Sequence, residues 1–149
     1  MTHFARLIGV RLTTIFIAGA FAGSAFATDI PKLTARANSG DPQAQFALGN
    51  AYMAGNGVDL NVAQGVIWCR LSADQGYAPA QSQLALKYAS GNGVPMDKIE
   101  ADKWVILATS SDSRNRRVKN LVEGLMTRDE LRRGHVAAEQ WGLDHPSDR

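Results

Sequence analysis

The segment YMAGNGV at residues 52–58 returns as YASGNGV at residues 88–94, 36 positions later. Such a glycine-rich loop can either bind phosphate or reverse the chain. Phosphate loops need a third glycine or a Gly-Lys-Ser/Thr sequence ahead of a helix. Here Leu60 and Met96 stand where the third glycine should be, and no such lysine follows. Because Gly and Asn tolerate positive φ at helix ends, we predict that both segments are C-terminal caps that reverse the chain.

The same 36-residue shift brings a larger set of residues into register. The matching pairs include Gly40 with Gly76, Ala44 with Ala80, Gln45 with Gln81, Leu48 with Leu84, Tyr52 with Tyr88, Trp68 with Trp104 and Leu71 with Leu107. A fixed period of this length is typical of stacked supersecondary units. Apolar residues that recur every four positions predict one helix before each reversal. Asn61 and Asp97, each followed three residues later by Gln or Glu, resemble capping boxes and predict a second helix after it.

These repeats predict an all-α fold, namely a short right-handed α-solenoid of helix-turn-helix repeats with helical caps. We expect a single domain over residues 28–149. In chain order it comprises a cap helix at 30–39, repeats at 40–75 and 76–111, a degenerate C-terminal cap at 112–142 and a tail at 143–149. The period fails after Thr109, but helical spacing of the apolar residues continues, and Thr127 with Glu130 offers another capping box. A terminal unit of a solenoid has to be atypical because one of its faces meets water.

Residues 37–109 resemble two Sel-one-like repeats (SLR), relatives of the tetratricopeptide repeat. The resemblance rests on Ala-Gln, Leu-Gly, Tyr, Gly-x-Gly-Val, Asp, Ala and Trp at matching spacings. Ala85 departs from the pattern where glycine is usual, and Gly65 where alanine is usual, but small residues replace small ones and close helix packing should persist. The resemblance implies a non-catalytic scaffold that binds a protein or peptide. Some secreted, cysteine-rich relatives are described as β-lactam-binding or hydrolysing, which is the alternative function, although those relatives pair cysteines that this chain lacks.

The N-terminus has the features of a cleavable signal peptide over residues 1–27. Arg6 and Arg11 precede a 16-residue apolar run at 12–27 that closes with the small-x-small sequence AFA. The run is shorter than the roughly 20 residues that span a bilayer. We therefore expect a periplasmic or secreted protein with no stable membrane insertion after cleavage. Loss of the two arginines leaves equal numbers of basic and acidic residues, which argues against general attraction to nucleic acid.

Two surfaces are candidates for partner binding. The first is the predicted concave face of the first helices, which carries Gln43, Phe46, Asn50, Met53, Ser82 and Leu86. Whether these residues line an open face or lie buried between stacked helices stays open. The second is a possible anionic-partner patch formed by Arg114, Arg116, Arg117 and Lys119. Nearby acidic residues and the lack of aromatics favour a solvated helix face for this cluster instead.

No pattern in the sequence predicts catalysis, a metal site or a cofactor. His135 and His145 have no partner at the i+4 spacing that places two ligands on one helix face. The single cysteine, Cys69, excludes an intramolecular disulfide and is expected to be a buried apolar residue. The last candidate is an acidic group that comprises Asp97, Glu100 and Asp102. We interpret this group as a helix cap with favourable charge near the positive end of a helix, rather than as a cation site.

Signal cleavage predicts a defined mature N-terminus. When the full chain is expressed in a Gram-negative host, intact-mass measurement of the periplasmic fraction should give a polypeptide that begins at Thr28. Full-length chain recovered with the membrane fraction would contradict the prediction.

Overall fold

The computed structural model describes residues 29–146, and the chain in this range forms helices joined by short turns. The helices are α1 (Ile30–Asn38), α2 (Pro42–Ala54), α3 (Val62–Asp74), α4 (Ala78–Ser90), α5 (Lys98–Ser111), α6 (Arg116–Glu123) and α7 (Arg128–Asp144), with a 3-10 turn at Ser113–Asn115. Each helix from α1 to α5 packs against the next one, and α5 also packs against α6 and α7. The predicted all-α solenoid is thereby confirmed, while the predicted signal peptide lies outside the described residues.

None of the helices within residues 29–146 combines the length and the apolar character needed to span a membrane. The last helix extends two residues into the segment predicted as a tail. Its end is held by packing, because the indole of Trp141 meets that of Trp104 edge to face, with ring centroids 5.9 Å apart.

The two glycine-rich segments end α2 and α4 as left-handed caps. Gly55 has φ 68° and Gly91 has φ 67°, a region that favours glycine. Their backbone N–H groups donate to the carbonyls of Ala51 and Lys87, which the last turn of each helix would otherwise leave without a partner. The predicted structural role of both segments is confirmed.

The predicted capping boxes form to different extents. At α5 the Asp97 carboxylate accepts from the backbone N–H of Glu100 at 3.0 Å, as expected of a cap. The Glu100 carboxylate does not complete the box, because it accepts from the indole N–H of Trp104 at 3.2 Å instead. At α7 the box is complete, since Glu130 accepts from the N–H of Thr127 at 2.7 Å and donates its own N–H to the Thr127 hydroxyl at 3.3 Å.

The core consists of two clusters. The larger extends from α3 through α4 and α5 to α6 and contains Trp104, which is 1% exposed. The smaller joins α1 to the first repeat through Ala37 and Leu48, and Trp68 packs at its edge while only partly buried. Both tryptophans therefore contact the core, but only Trp104 is fully enclosed.

The two helices of the first repeat cross at a contact between glycines. A Cβ atom added to Gly49 would lie 2.8 Å from the carbonyl oxygen of Gly65, and one added to Gly65 would lie 2.6 Å from that of Gly49. The corresponding positions of the second repeat hold Ala85 and Ala101, both fully buried. Close helix packing therefore persists in spite of the two departures from the family pattern.

Asp102, interpreted from the sequence as a favourable charge near the start of α5, lies in the interface between α5 and α7, a burial that the sequence did not predict. Its side chain is fully buried against Gly134, where an added Cβ would lie 2.7 Å from that of Asp102. Neither carboxylate oxygen has a hydrogen-bond partner within residues 29–146. Burial raises the pKa of Asp102 to about 6, and the negative charge of Glu123 raises it further. The charges of His135 on α7 and Lys119 on α6 lower this pKa and so oppose the rise.

Replacement of Gly49 by alanine should lower the free energy of unfolding by about 1–3 kcal/mol, because the added methyl overlaps the carbonyl of Gly65. Urea denaturation measures the change. The matched control is Gly142→Ala in α7, where nothing lies within 4 Å of the added Cβ. Better helix propensity should make that variant more stable by up to about 1 kcal/mol. Equal stabilisation of both variants would contradict the close crossing.

The buried carboxylate predicts an unusual dependence of stability on pH. The folded-state pKa of Asp102 lies above its ordinary value of 3.8, so ionisation costs stability: the penalty is absent well below pH 4 and complete above about pH 6. A shift of this size corresponds to about 3 kcal/mol at pH 7.5, of which about half should be relieved at pH 5.

Urea denaturation of Asp102→Asn at the two pH values tests this dependence. The variant should be more stable than the parent at pH 7.5 and show a smaller gain at pH 5. The exposed Asp59→Asn serves as the control and should leave the pH profile of the parent unchanged. A parent profile retained in Asp102→Asn would contradict the assignment.

Candidate functional site

A groove of about 490 Å³ follows the first helix of the second repeat. Its walls come from α4 and from the 3-10 turn, and they include Ser82, Gln83, Leu86, Lys87, Ser90 and Asn115. The α4 residues recur at intervals of three and four, so they share one side of the helix. Two residues of the predicted concave face, Ser82 and Leu86, are thereby brought together, whereas Gln43 lies exposed at the start of α2.

The other predicted residues of α2 lie against the neighbouring repeat. The ring of Phe46 is half-buried and meets that of Tyr77 edge to face, with centroids 5.5 Å apart. The side-chain amide of Gln83 donates to Asn50 Oδ1 at 2.8 Å and lies 3.1 Å from Met53 Sδ. The side chains of Phe46, Asn50 and Met53 thus connect α2 to α4 or to the turn before it. Of the two alternatives that the sequence left open, packing between helices describes these three residues, whereas an open face describes Leu86.

The groove combines two exposed apolar side chains, Pro79 and Leu86, with several polar groups. Leu86 is 38% exposed, and Lys87 is part of the same wall. Gln83 uses its amide N–H to bind α2, and Asn115 donates its own to the Ala108 carbonyl at 3.0 Å. The side-chain oxygens of both amides accept no hydrogen bond from the described part of the chain. Such a surface can accept hydrogen bonds from a peptide backbone and hold one apolar side chain.

The 3-10 turn that lines the groove leads directly into α6, which is a short helix. α6 has 8 residues, whereas α2 and α4 have 13 each. α6 packs against α4 but is too short to cover its full length.

Sequence reasoning missed Gln83, Lys87 and Asn115. The first two lie next to Ser82 and Leu86 on the same helix, so an extension of the predicted face by one position would have found them. Asn115 follows the point where the 36-residue period fails, and no repeat pattern points to it.

Two of the four cations in the predicted basic cluster lie beside acidic side chains. Arg114 pairs with Asp112 at 2.7 Å, and this contact lowers the pKa of the Asp112 carboxyl. Lys119 lies 3.5 Å from the Glu123 carboxylate. The two remaining cations of the cluster, Arg116 and Arg117, are exposed at the start of α6.

A second pocket of about 440 Å³ lies where the ends of α3, α5 and α7 meet the start of α4. Its walls include Asp74, Gln81, Ser110, Ser111, Trp141 and His145. The hydroxyls of Ser110 and Ser111 donate to carbonyls of their own helix, at 2.9 and 3.3 Å. The imidazole Nδ1 of His145 lies 3.0 Å from the carbonyl oxygen of Trp141. Each hydroxyl is therefore already committed to the backbone, and neither is hydrogen-bonded to the imidazole.

Cys69 is fully buried beneath the crossing of α2 and α3, and burial raises the pKa of its thiol to about 12. A thiol in this environment stays protonated at neutral pH and is a poor nucleophile. Within residues 29–146, no three His, Cys, Asp or Glu side chains are placed to hold a metal ion.

Tandem helix pairs of one length, each with a left-handed glycine cap in the middle, define a helical-repeat protein of the solenoid class. The family model described as "Sel1 repeat" matches residues 42–77 and 78–113. The chain therefore carries two Sel1 repeats.

Two solved structures support this assignment. The chain is similar to a protective antigen present in uropathogenic Escherichia coli strains that displays an SLR fold, with 31% identity and a TM-score of 0.73. The match covers 78% of this chain and 25% of that protein. A Sel1 repeat protein from Oxalobacter formigenes shares the fold at 23% identity and a TM-score of 0.61, with 77% and 49% covered. This chain thus spans a quarter of one relative and about half of the other, and no curated protein matches it.

Proposed function

We propose that this chain is an exported, non-catalytic module that binds a segment of a protein or peptide partner in the groove along α4. Sel1 repeats generally mediate contacts between proteins, and their fold is typically a non-catalytic scaffold. One observation carries the choice of surface: Leu86 is exposed in a groove whose other walls are largely polar. An apolar anchor surrounded by hydrogen-bonding groups is the arrangement that fixes both the affinity and the orientation of a bound segment.

The size of the groove sets the expected strength of binding. A stable protein interface buries about 800 Å² on each partner, far more than a groove along one 13-residue helix offers. We expect a short segment to bind with moderate affinity. Contacts with the exposed parts of α2, including Gln43, would extend the interface.

Export to the periplasm or beyond is part of the proposal. It is supported by the signal-like pattern of residues 1–27 and by the likeness to a protein described as a protective antigen. The basic cluster is not included in the proposed site, because Arg114 and Lys119 already have acidic partners.

No specific observation in residues 29–146 favours β-lactam binding or hydrolysis. The single cysteine is buried with a raised pKa, and the serines of the second pocket donate to backbone carbonyls. The binding function is therefore the one that the geometry supports best.

Site-specific photocrosslinking tests the groove. With p-benzoylphenylalanine in place of Leu86 in the exported chain, irradiation of the native cells should give a discrete crosslinked product, because position 86 lies within contact distance of a bound segment. The matched control places the same amino acid at Leu71, which is 43% exposed on α3. That position should not give the product.

A second substitution distinguishes groove binding from surface stickiness. Ser90→Arg places a long side chain in the groove at an exposed position and should reduce the product from position 86 by about tenfold while the circular dichroism spectrum stays unchanged. Equal products from positions 86 and 71, or no product from position 86, would rule out the groove as the binding site.

A further inference from the structure

The two repeats use one buried glutamine in different ways. Gln45 and Gln81 occupy equivalent positions, and each donates its side-chain N–H to a carbonyl at the end of the preceding helix. These carbonyls belong to Ala37 and Ala73, and both bonds measure 3.1 Å. In the first repeat the remaining oxygen of Gln45 accepts from the side-chain amide of Gln75 at 2.6 Å. The glutamine of the first repeat is therefore satisfied at both ends.

The second repeat lacks the corresponding donor. The residue 36 positions after Gln75 is Ser111, which is too short and whose hydroxyl donates to the Leu107 carbonyl. Gln81 is 1% exposed, and its Oε1 atom has no hydrogen-bond partner within residues 29–146. Native proteins rarely leave a buried amide oxygen unpaired, because the lost hydration is not replaced.

The pocket bounded by α3, α4, α5 and α7 lies at this position. Both Gln81 and Ser111 line this pocket, so the pocket lies where the first repeat has the donor side chain of Gln75. The pocket is also lined by Asp74, which makes no hydrogen bond and no ion pair in the described part of the chain. Arg70, one turn earlier on α3, is directed elsewhere: its guanidinium carbon lies 5.4 Å from the ring centroid of Tyr88.

A third acceptor comes from the end of α7. Because the carbonyl of Trp141 can only accept, Nδ1 of His145 carries the proton of this hydrogen bond, and Nε2 is an acceptor in the neutral tautomer that has this proton. The imidazole stacks on the Trp141 indole, with centroids 4.3 Å apart and planes 9° apart. The pocket is therefore lined by an amide whose oxygen is unpaired, a carboxylate and an imidazole, beside the indole of Trp141.

We propose that this pocket binds the guanidinium group of an arginine side chain on a partner protein. A guanidinium carries five N–H donors in one plane and no acceptor, so it complements the unpaired acceptors of Gln81 and Asp74 among the otherwise largely apolar walls. Its positive charge is matched by Asp74, and cations are attracted to aromatic rings. The pocket is separate from the groove along α4, and the inference does not depend on the function proposed for that groove.

The test uses N-acetylarginine methylamide as the probe and follows the indole N–H signal of Trp141 by two-dimensional NMR at pH 7.5. We expect a saturable shift with a Kd of about 1 mM, as befits a small ligand. The matched control is the citrulline analogue, which has the same shape without the charge and should bind about tenfold more weakly. Equal binding of the two probes, or no saturable shift with either, would overturn the proposal.

Three variants locate the site. Ser111→Gln restores the donor of the first repeat, so it should weaken probe binding at least about tenfold and leave the melting temperature equal or higher. Asp74→Asn should weaken binding about tenfold in a folded protein, and Ser90→Ala in the other groove should leave it unchanged. Parent-like binding by a folded Ser111→Gln would show that the probe binds elsewhere.

Discussion

The close crossing of two helices within each repeat is the contact on which the rest of the fold depends. Gly49 and Gly65 bring the backbones of α2 and α3 so near that neither position has room for a Cβ atom. The second repeat keeps the crossing with Ala85 and Ala101 and no exposed surface at either. A tight pair presents a fixed outer face, and the next pair can then pack on that face without adjustment.

Polar contacts set the register between neighbouring helices. The side chains of Gln45 and Gln81 donate to carbonyls at the end of the preceding helix, where the last turn leaves backbone carbonyls without intrahelical partners. Within the first repeat, the hydroxyl of Ser72 on α3 donates to the Pro42 carbonyl on α2 at 2.7 Å. The series stops after the second repeat, since the next equivalent position is held by the exposed Arg117. Beyond this point apolar contacts hold α7 against α5, with Trp141 packed on Trp104.

The sequence alone reveals those features that the repeat determines. The period of 36 residues, the reversals at Gly55 and Gly91 and the capping box at Thr127 are local or periodic, so their patterns are visible without a structure. The burial of Asp102 could not be predicted, because it depends on Gly134, which lies 32 residues away in a helix outside the repeat. An acidic residue in the first turns of a helix is most often exposed, and only the tertiary contact overrides that expectation.

Both candidate sites lie where the second repeat departs from the first. The groove along α4 ends at the 3-10 turn that leads into the short α6. The second pocket is lined by Ser111, which stands where the first repeat has Gln75, the donor to Gln45. Inside a regular array each unit satisfies the polar groups and covers the apolar face of its neighbour, so little remains for a ligand. Both proposed sites therefore lie at the junction between the second repeat and the C-terminal helices, and the groups left unpaired there within residues 29–146 set the ligand chemistry that each proposal names.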